Sequence, residues 1–130
     1  MKRFLVFENP QGQYEAVKQG WSWPAFIFTG IWALFNKMWG IACGLIIVSF
    51  LLAVFVVPQI RVFFLTGAGV LLSEESVLFV VHLVYALVIG ANGNKWKQTR
   101  LFSRGFEQKD VVLASNKDLA IAQYIKELKR

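Results

Sequence analysis

Two long apolar runs set the pattern of the chain. Charged side chains are nearly absent between Met38 and Ser73 and again between Ser76 and Asn94. The second run, residues 77–89, is interrupted only by His82 and Tyr85, follows Glu74 and Glu75, and is succeeded by Lys95, Lys97, Arg100 and Arg104. An acidic start, an apolar middle and a basic end predict a membrane helix whose direction is set by its flanks, with the span over residues 75–92. The first run predicts a span over residues 39–57. Pro58 then stops or kinks it, and the apolar sequence beyond carries the helix to about Leu65. Gly67 and Gly69 predict a turn, and Ser73 an N-cap with both glutamates well placed in the first turn of the next helix. The expected loop, residues 58–74, carries one base, Arg61, and two acids at its end, Glu74 and the adjoining Glu75, and is assigned to the non-cytoplasmic side.

Upstream, residues 3–8 (RFLVFE) favour a short extended segment, and Asn9-Pro10-Gln11-Gly12 is a strong turn signal. Tyr14 to Gln19 reads as one helical turn closed by Gly20. Residues 1–20 are thus expected to be a cytoplasmic lead-in and no domain. Over residues 21–38, Ser22 is a natural N-cap and Pro24 suits the first turn. The apolar run to Phe35 makes a helix of roughly 20 Å, short of the ~30 Å hydrocarbon core, so an interfacial or re-entrant helix is expected. Ala25, Thr29 and Ala33 recur every four residues as a smooth stripe for another helix.

Beyond the second span lies a basic cytoplasmic tail, residues 93–130. Asn92-Gly93-Asn94 is expected to loosen the helix before it resumes over residues 95–103, with Gly105 as the stop. Ser115-Asn116-Lys117-Asp118 resembles a capping box, and the helix after it gathers Leu119 (or Ala122), Ile121, Ile125 and Leu128 on one side. That amphipathic helix is expected to lie on the membrane surface or on a partner.

Composition narrows the class. The chain has 130 residues, 56% hydrophobic, with a mean hydropathy of +0.50. A soluble fold of this size could not cover two such runs with polar surface. The expected fold is therefore an all-α integral membrane protein: a two-span antiparallel helical hairpin over residues 39–92, preceded by a Trp-rich interfacial helix and followed by the amphipathic one. The net charge of +6 invites a nucleic-acid reading, but nine of the fourteen Lys and Arg residues follow Asn94 and three lie within the first eighteen residues. That distribution follows the positive-inside rule and puts both termini in the cytoplasm, so no nucleic-acid partner is expected. Between Lys2-Arg3 and Glu8 there is too little apolar sequence for a cleavable signal.

Gly40-x3-Gly44 on the first span and Ala86 with Gly90 on the second lie at matched depth near the inner end, where small residues let two backbones approach. Trp21, Trp23, Trp39 and Trp96 suit the headgroup level, each indole having an apolar body and one N–H to satisfy. Lys95, Lys97, Arg100 and Arg104 fit anionic lipid headgroups.

Taken together, WSWPAF, IWALFNKMWG and the looser GANGN…L…RG make the chain resemble a family of small bacterial inner-membrane proteins known as domain of unknown function 2628. The resemblance runs from Asn9-Pro10-x-Gly12 through Trp21-Ser22-Trp23-Pro24-Ala25-Phe26, Trp32 and Trp39 to Gly93-Asn94, Leu101 and Arg104-Gly105. It implies a bacterial cytoplasmic membrane and supplies no activity, cofactor or catalytic residue.

Candidate chemistry is sparse. His82, the only histidine, lies mid-span, where an ionisable group suggests a proton relay or ligand site. A neutral imidazole bonded to a hydroxyl such as Ser49 or Tyr85, or to a carbonyl, explains it more simply. Cys43 reads as an inert thiol in an apolar run, and one His and one Cys on different helices do not make a metal site. Glu74 and Glu75 point about 100° apart on a helix and serve its dipole. Neither a nucleophile motif nor a phosphate loop is present in the sequence, so no catalytic residue, cofactor or enzyme activity is expected. The leading expectation is a non-enzymatic adaptor or accessory subunit that packs with other membrane helices, or with its own copies, and docks a cytoplasmic partner. The alternative is an oligomeric small transporter or channel-like protein that uses His82.

Overall fold

A computed structural model describes residues 1–67 and 73–130, in two compact units. The first unit joins the two ends of the chain, Met1–Ser22 and Ala91–Arg130; the second comprises Trp23–Gly90. The fold is α+β, which corrects the all-α expectation: strands β1 (Lys2–Glu8), β2 (Tyr14–Lys18) and β3 (Glu107–Ala114) form an antiparallel sheet in the order β2-β1-β3.

Strand β1 takes the centre because its side chains have two faces to cover. Phe4, Leu5, Val6 and Phe7 are all buried, and a strand apolar on both faces needs an element packed on each. The Asn9 turn sets the hairpin: its carboxamide oxygen accepts from Gln11 N and Gln13 N, and Gly12 sits at φ 77°. Register then pairs Glu8 with Tyr14 and Phe4 with Lys18, so the segment expected as a helical turn is instead strand β2. β3 pairs with the other edge of β1, with a bulge opposite Val6 and Phe7.

Each face of the sheet is closed by a helix. Phe4, Val6, Ala16, Val112 and Ala114 pack against Ala120 and Tyr124 of helix α5 (Lys117–Leu128). That contact corrects the expectation for the last helix. Its inward side is Ala120 and Tyr124, with Ile121 beside them, while Leu119 and Leu128 are exposed, and the helix lies on the sheet. Asn116 rather than Ser115 caps it, accepting from Leu119 N at 2.9 Å. On the opposite face Leu5, Phe7 and Val17 meet Leu101 and Phe106 at the end of helix α4 (Glu74–Ser103). Gly105 at φ 82° ends that helix, as expected, with Phe106 N returning to Leu101 O. The lead-in and the tail are thus two parts of one folded unit.

The second unit is helical. Helix α1 (Trp23–Phe35) is broken at Thr29, whose φ of 46° and ψ of −117° are non-helical. After a tight turn in which Lys37 has φ 55° and Met38 N bonds Ala33 O, helix α2 (Trp39–Leu51) begins. A π-helical turn (Leu52–Val56) joins it to helix α3 (Val57–Gly67). The wide turn directly precedes Pro58, whose ring and missing N–H disturb the ladder behind it. The first apolar run therefore stays helical to Gly67, past the expected Leu65, and Gly69 lies outside the described residues. Ser73 caps α4 as expected, its hydroxyl accepting from Ser76 N. α4 runs unbroken through residues 92–94, where loosening was expected.

Candidate functional site: an apolar helical surface and a hydroxyl-lined cleft

Two helices, Trp39–Gly67 and Glu75–Ser103, are long and apolar enough to cross a membrane. At 29 residues each they reach about 43 Å, more than the ~30 Å of hydrocarbon. They are poorly covered: 11% of the most apolar stretch of the first is buried, and 28% of the second. Phe50, Phe55, Phe63, Phe79 and Val84 are among the large apolar side chains left exposed. Exposed apolar side chains in this number suit contact with lipid or with another protein.

The expected interface tryptophans divide. Trp23 and Trp39 are exposed, Trp21 and Trp96 half-buried; Trp32 is buried within the helical unit. Of the basic set, Lys95 and Arg104 are exposed and Lys97 and Arg100 half-buried, and the Arg104 guanidinium lies 5.6 Å from the Phe106 ring centre. In the same unit Asn94 donates to Gly20 O at 2.9 Å and to Trp21 O at 3.3 Å, so an amide holds the chain's N-terminal segment against the end of α4. Sequence reasoning gave Asn94 no such role.

Among the small residues, Ala86 and Gly90 are buried, whereas a Cβ added at Gly40 or Gly44 would meet nothing within 4 Å. The close approach instead occurs at Gly30, where a Cβ would come within 3.5 Å of Ile46 and 3.9 Å of Leu45. Ala25, Gly30, Trp32 and Ala33 are the buried positions of α1, so two of the three stripe residues, Ala25 and Ala33, are enclosed and Thr29 is half-exposed.

Around that approach lies a cleft of about 330 Å³. α1 contributes Thr29, Gly30 and Ile31, and α2 contributes Leu45, Ile46, Ser49 and Phe50. Ala53 and Tyr85 complete it, and the Tyr85 hydroxyl donates to the Leu45 carbonyl. Three hydroxyls, those of Thr29, Ser49 and Tyr85, therefore line an otherwise apolar space. His82 is exposed, and its ring stands edge-on to Tyr85 at 6.0 Å between centres. Cys43 is exposed as well. Among the described residues no three or more His, Cys, Asp or Glu side chains are grouped to hold a metal.

A second, polar site of similar size lies at the β1–β3 end of the sheet, formed by Glu8, Asn9, Pro10, Glu107 and Lys109. The Lys109 ammonium bonds Glu107 at 2.9 Å, which lowers the carboxyl below its ordinary range and raises the ammonium. Tyr14 is pushed up, first by loss of solvent and then by the Glu8 charge.

Residues 1–102 match the family described as Protein of unknown function (DUF2628). The chain belongs to the DUF2628 family. The match spans β1, β2, the helical unit and nearly all of α4; β3 and α5, which complete the sheet unit, follow it. No curated protein and no solved structure matches the chain.

Proposed function

We infer that this DUF2628 member is a non-enzymatic membrane adaptor or accessory subunit. Its helical unit packs in a bacterial cytoplasmic membrane as a two-span hairpin, and its sheet unit docks a cytoplasmic partner. The observation that carries this reading is the pairing of β1 with β3. Strands from the two ends of the chain share one sheet, which supports both ends lying in one compartment and an even number of membrane crossings between them. Among the described residues two helices are long enough to cross, while α1, with 13 residues and a break at Thr29, is too short. A broken α1 that enters and returns on one side satisfies the count. Lys2, Arg3 and Lys18 then share a side with Lys95, Lys97, Arg100 and Arg104, which favours the cytoplasm for both termini and anionic headgroups for the basic cluster.

Crosslinking in native membranes, followed by mass spectrometry, tests the adaptor role. A specific membrane partner, or a defined homo-oligomer in detergent, is the expected result. A chain that traps no partner and remains monomeric would overturn it.

One observation favours the transporter alternative: His82 is exposed on the outer surface of the helical unit, where a neighbouring protomer could meet it. His82→Leu separates the readings. Intact assembly with lost proton or solute flux supports the transporter; unchanged flux and assembly support the adaptor.

A further inference from the structure

We propose that the cleft between α1, α2 and α4 binds a neutral amphiphile from the bilayer, with a ring-sized polar head bearing carbonyl or hydroxyl oxygens, the class to which membrane quinones belong. The inference rests on the membrane reading above and adds a ligand to it.

Irregular backbone at membrane depth leaves amide and carbonyl groups without ladder partners, and lipid cannot satisfy them. Such breaks persist where they are enclosed by protein or line a polar cavity, and discontinuous membrane helices recur at ligand sites for that reason. Thr29 is such a break: a β-branched residue at φ 46° in the wall of the cleft. A non-glycine residue there is strained, so its surroundings must hold it. The hold is visible at Gly30, seated against Leu45 and Ile46.

The lining chooses the ligand. Tyr85 gives its proton to Leu45 O, which leaves its oxygen as an acceptor, while Ser49 and Thr29 carry hydroxyl protons to donate. No charged side chain lines the cleft among the described residues, so an ionised head would have no counter-charge and a neutral one is selected. Ser49 lies ten residues beyond Trp39, and Tyr85 ten beyond Glu75, about 15 Å along each helix. The hydroxyls therefore sit near the bilayer midplane, below the ester carbonyls of ordinary lipids and within reach of a head that dissolves in the hydrocarbon. Ile31, Ile46 and Phe50 are exposed at the rim, where an apolar tail would leave the cleft for the bilayer. The volume of about 330 Å³ stands at the small end of ligand sites and suits a single ring.

The test uses the full chain in phosphatidylcholine nanodiscs with a decyl-tailed benzoquinone carrying a diazirine. Photolabelling is expected in peptides containing Thr29 to Ile31 and Leu45 to Ala53, and unlabelled decyl-benzoquinone should compete it away. Ser49→Ala should weaken competition by about three- to tenfold, the loss of one hydroxyl hydrogen bond. Ala53→Phe, which fills the space without removing a polar group, should abolish labelling of both peptides while far-UV helicity is unchanged. Labelling spread evenly over the exposed apolar side chains, and indifferent to Ala53→Phe, would mean bulk partition and overturn the site. Flotation of the same chain with liposomes is read in parallel. A chain that does not float removes the membrane reading and the ligand site together, whereas one that floats without specific labelling removes the ligand site alone.

Discussion

Phe7→Ala should detach the sheet from the end of α4. Phe7 is 0% exposed, lies on the central strand and packs with Leu5, Val17, Leu101 and Phe106, with its ring edge-on to Phe102 at 5.4 Å. Truncating a buried Phe costs about 3–5 kcal/mol, the lost edge-to-face pair included. A unit of about 60 residues has roughly 3–9 kcal/mol of stability in all, so this one change removes at least about a third of it and up to the whole. Tryptic cleavage after Lys117 and Lys126 reads the result, because both lie on α5, which the sheet holds in place. In detergent micelles, cleavage should speed up by about a hundredfold or more, in step with the open population. The helical unit should keep its far-UV signal. Phe102→Ala, at a half-exposed position, should produce only the small loss of the ring pair, about 0.5–1.5 kcal/mol. Cleavage rates for Phe7→Ala within about twofold of wild type would refute a shared core between the two ends of the chain.

Smaller changes probe the same unit and its neighbour. Gly12→Ala forces a side chain into φ 77° and should lower the thermal midpoint of the sheet unit by a few degrees, for a cost of about 1 kcal/mol. Asn116→Ala removes the cap of α5 and should cost about 1 kcal/mol in denaturant unfolding, with Asn116→Ser retaining most of it. The Glu107–Lys109 pair gives a signed pH response. Glu107 is lowered in the folded unit, so its contribution is present above about pH 4.5 and fades as pH falls. Lys109 is raised, so its share is present below about pH 10.5 and fades above. Glu107→Gln should flatten the acid limb of a stability–pH curve, which thermal melts across that range would show. Thr29→Gly relieves the positive φ and should raise the thermal midpoint of the helical unit in detergent, while Thr29→Pro, with φ fixed near −65°, should lower it.

Much of the architecture could be read from pattern alone, because the strong signals are local. Two apolar runs nearly free of charge yielded two long helices, Ser73 and Gly105 marked the true ends of α4, and Asn9-Pro10-Gln11-Gly12 marked a true turn. What escaped was decided by partners distant in sequence. Tyr14-Glu15-Ala16-Val17-Lys18 suits a helical turn as well as a strand until hairpin register fixes it. β3 opens with Glu, Gln, Lys and Asp, a composition that conceals a strand whose apolar half pairs with β1 more than a hundred residues earlier. One signal was available: four apolar residues in a row within a six-residue extended segment, which demands cover on both faces and hence a sheet with helices on either side. In α5 the aliphatics marked the inward face only in part: Ile121 packs against the sheet core, but Leu119 and Leu128 are exposed and the fully buried positions are a small Ala120 and a Tyr124. Of the cleft, Ser49 and Tyr85 were visible as mid-span hydroxyls, but the break at Thr29 was not. An apolar run gives no local reason for it, and it exists only where Gly30 meets α2.

We propose that the ends of the chain share one face of a membrane that its middle crosses twice. Single cysteines at Gln13, Asp110 and Ser73, in a Cys43→Ala background, test it directly when sealed vesicles are treated with a thiol reagent that cannot cross the bilayer. Cysteines at positions 13 and 110 should react from the same side and the one at 73 only from the other. Labelling of 13 and 110 from opposite sides, or of all three from one, would contradict the account.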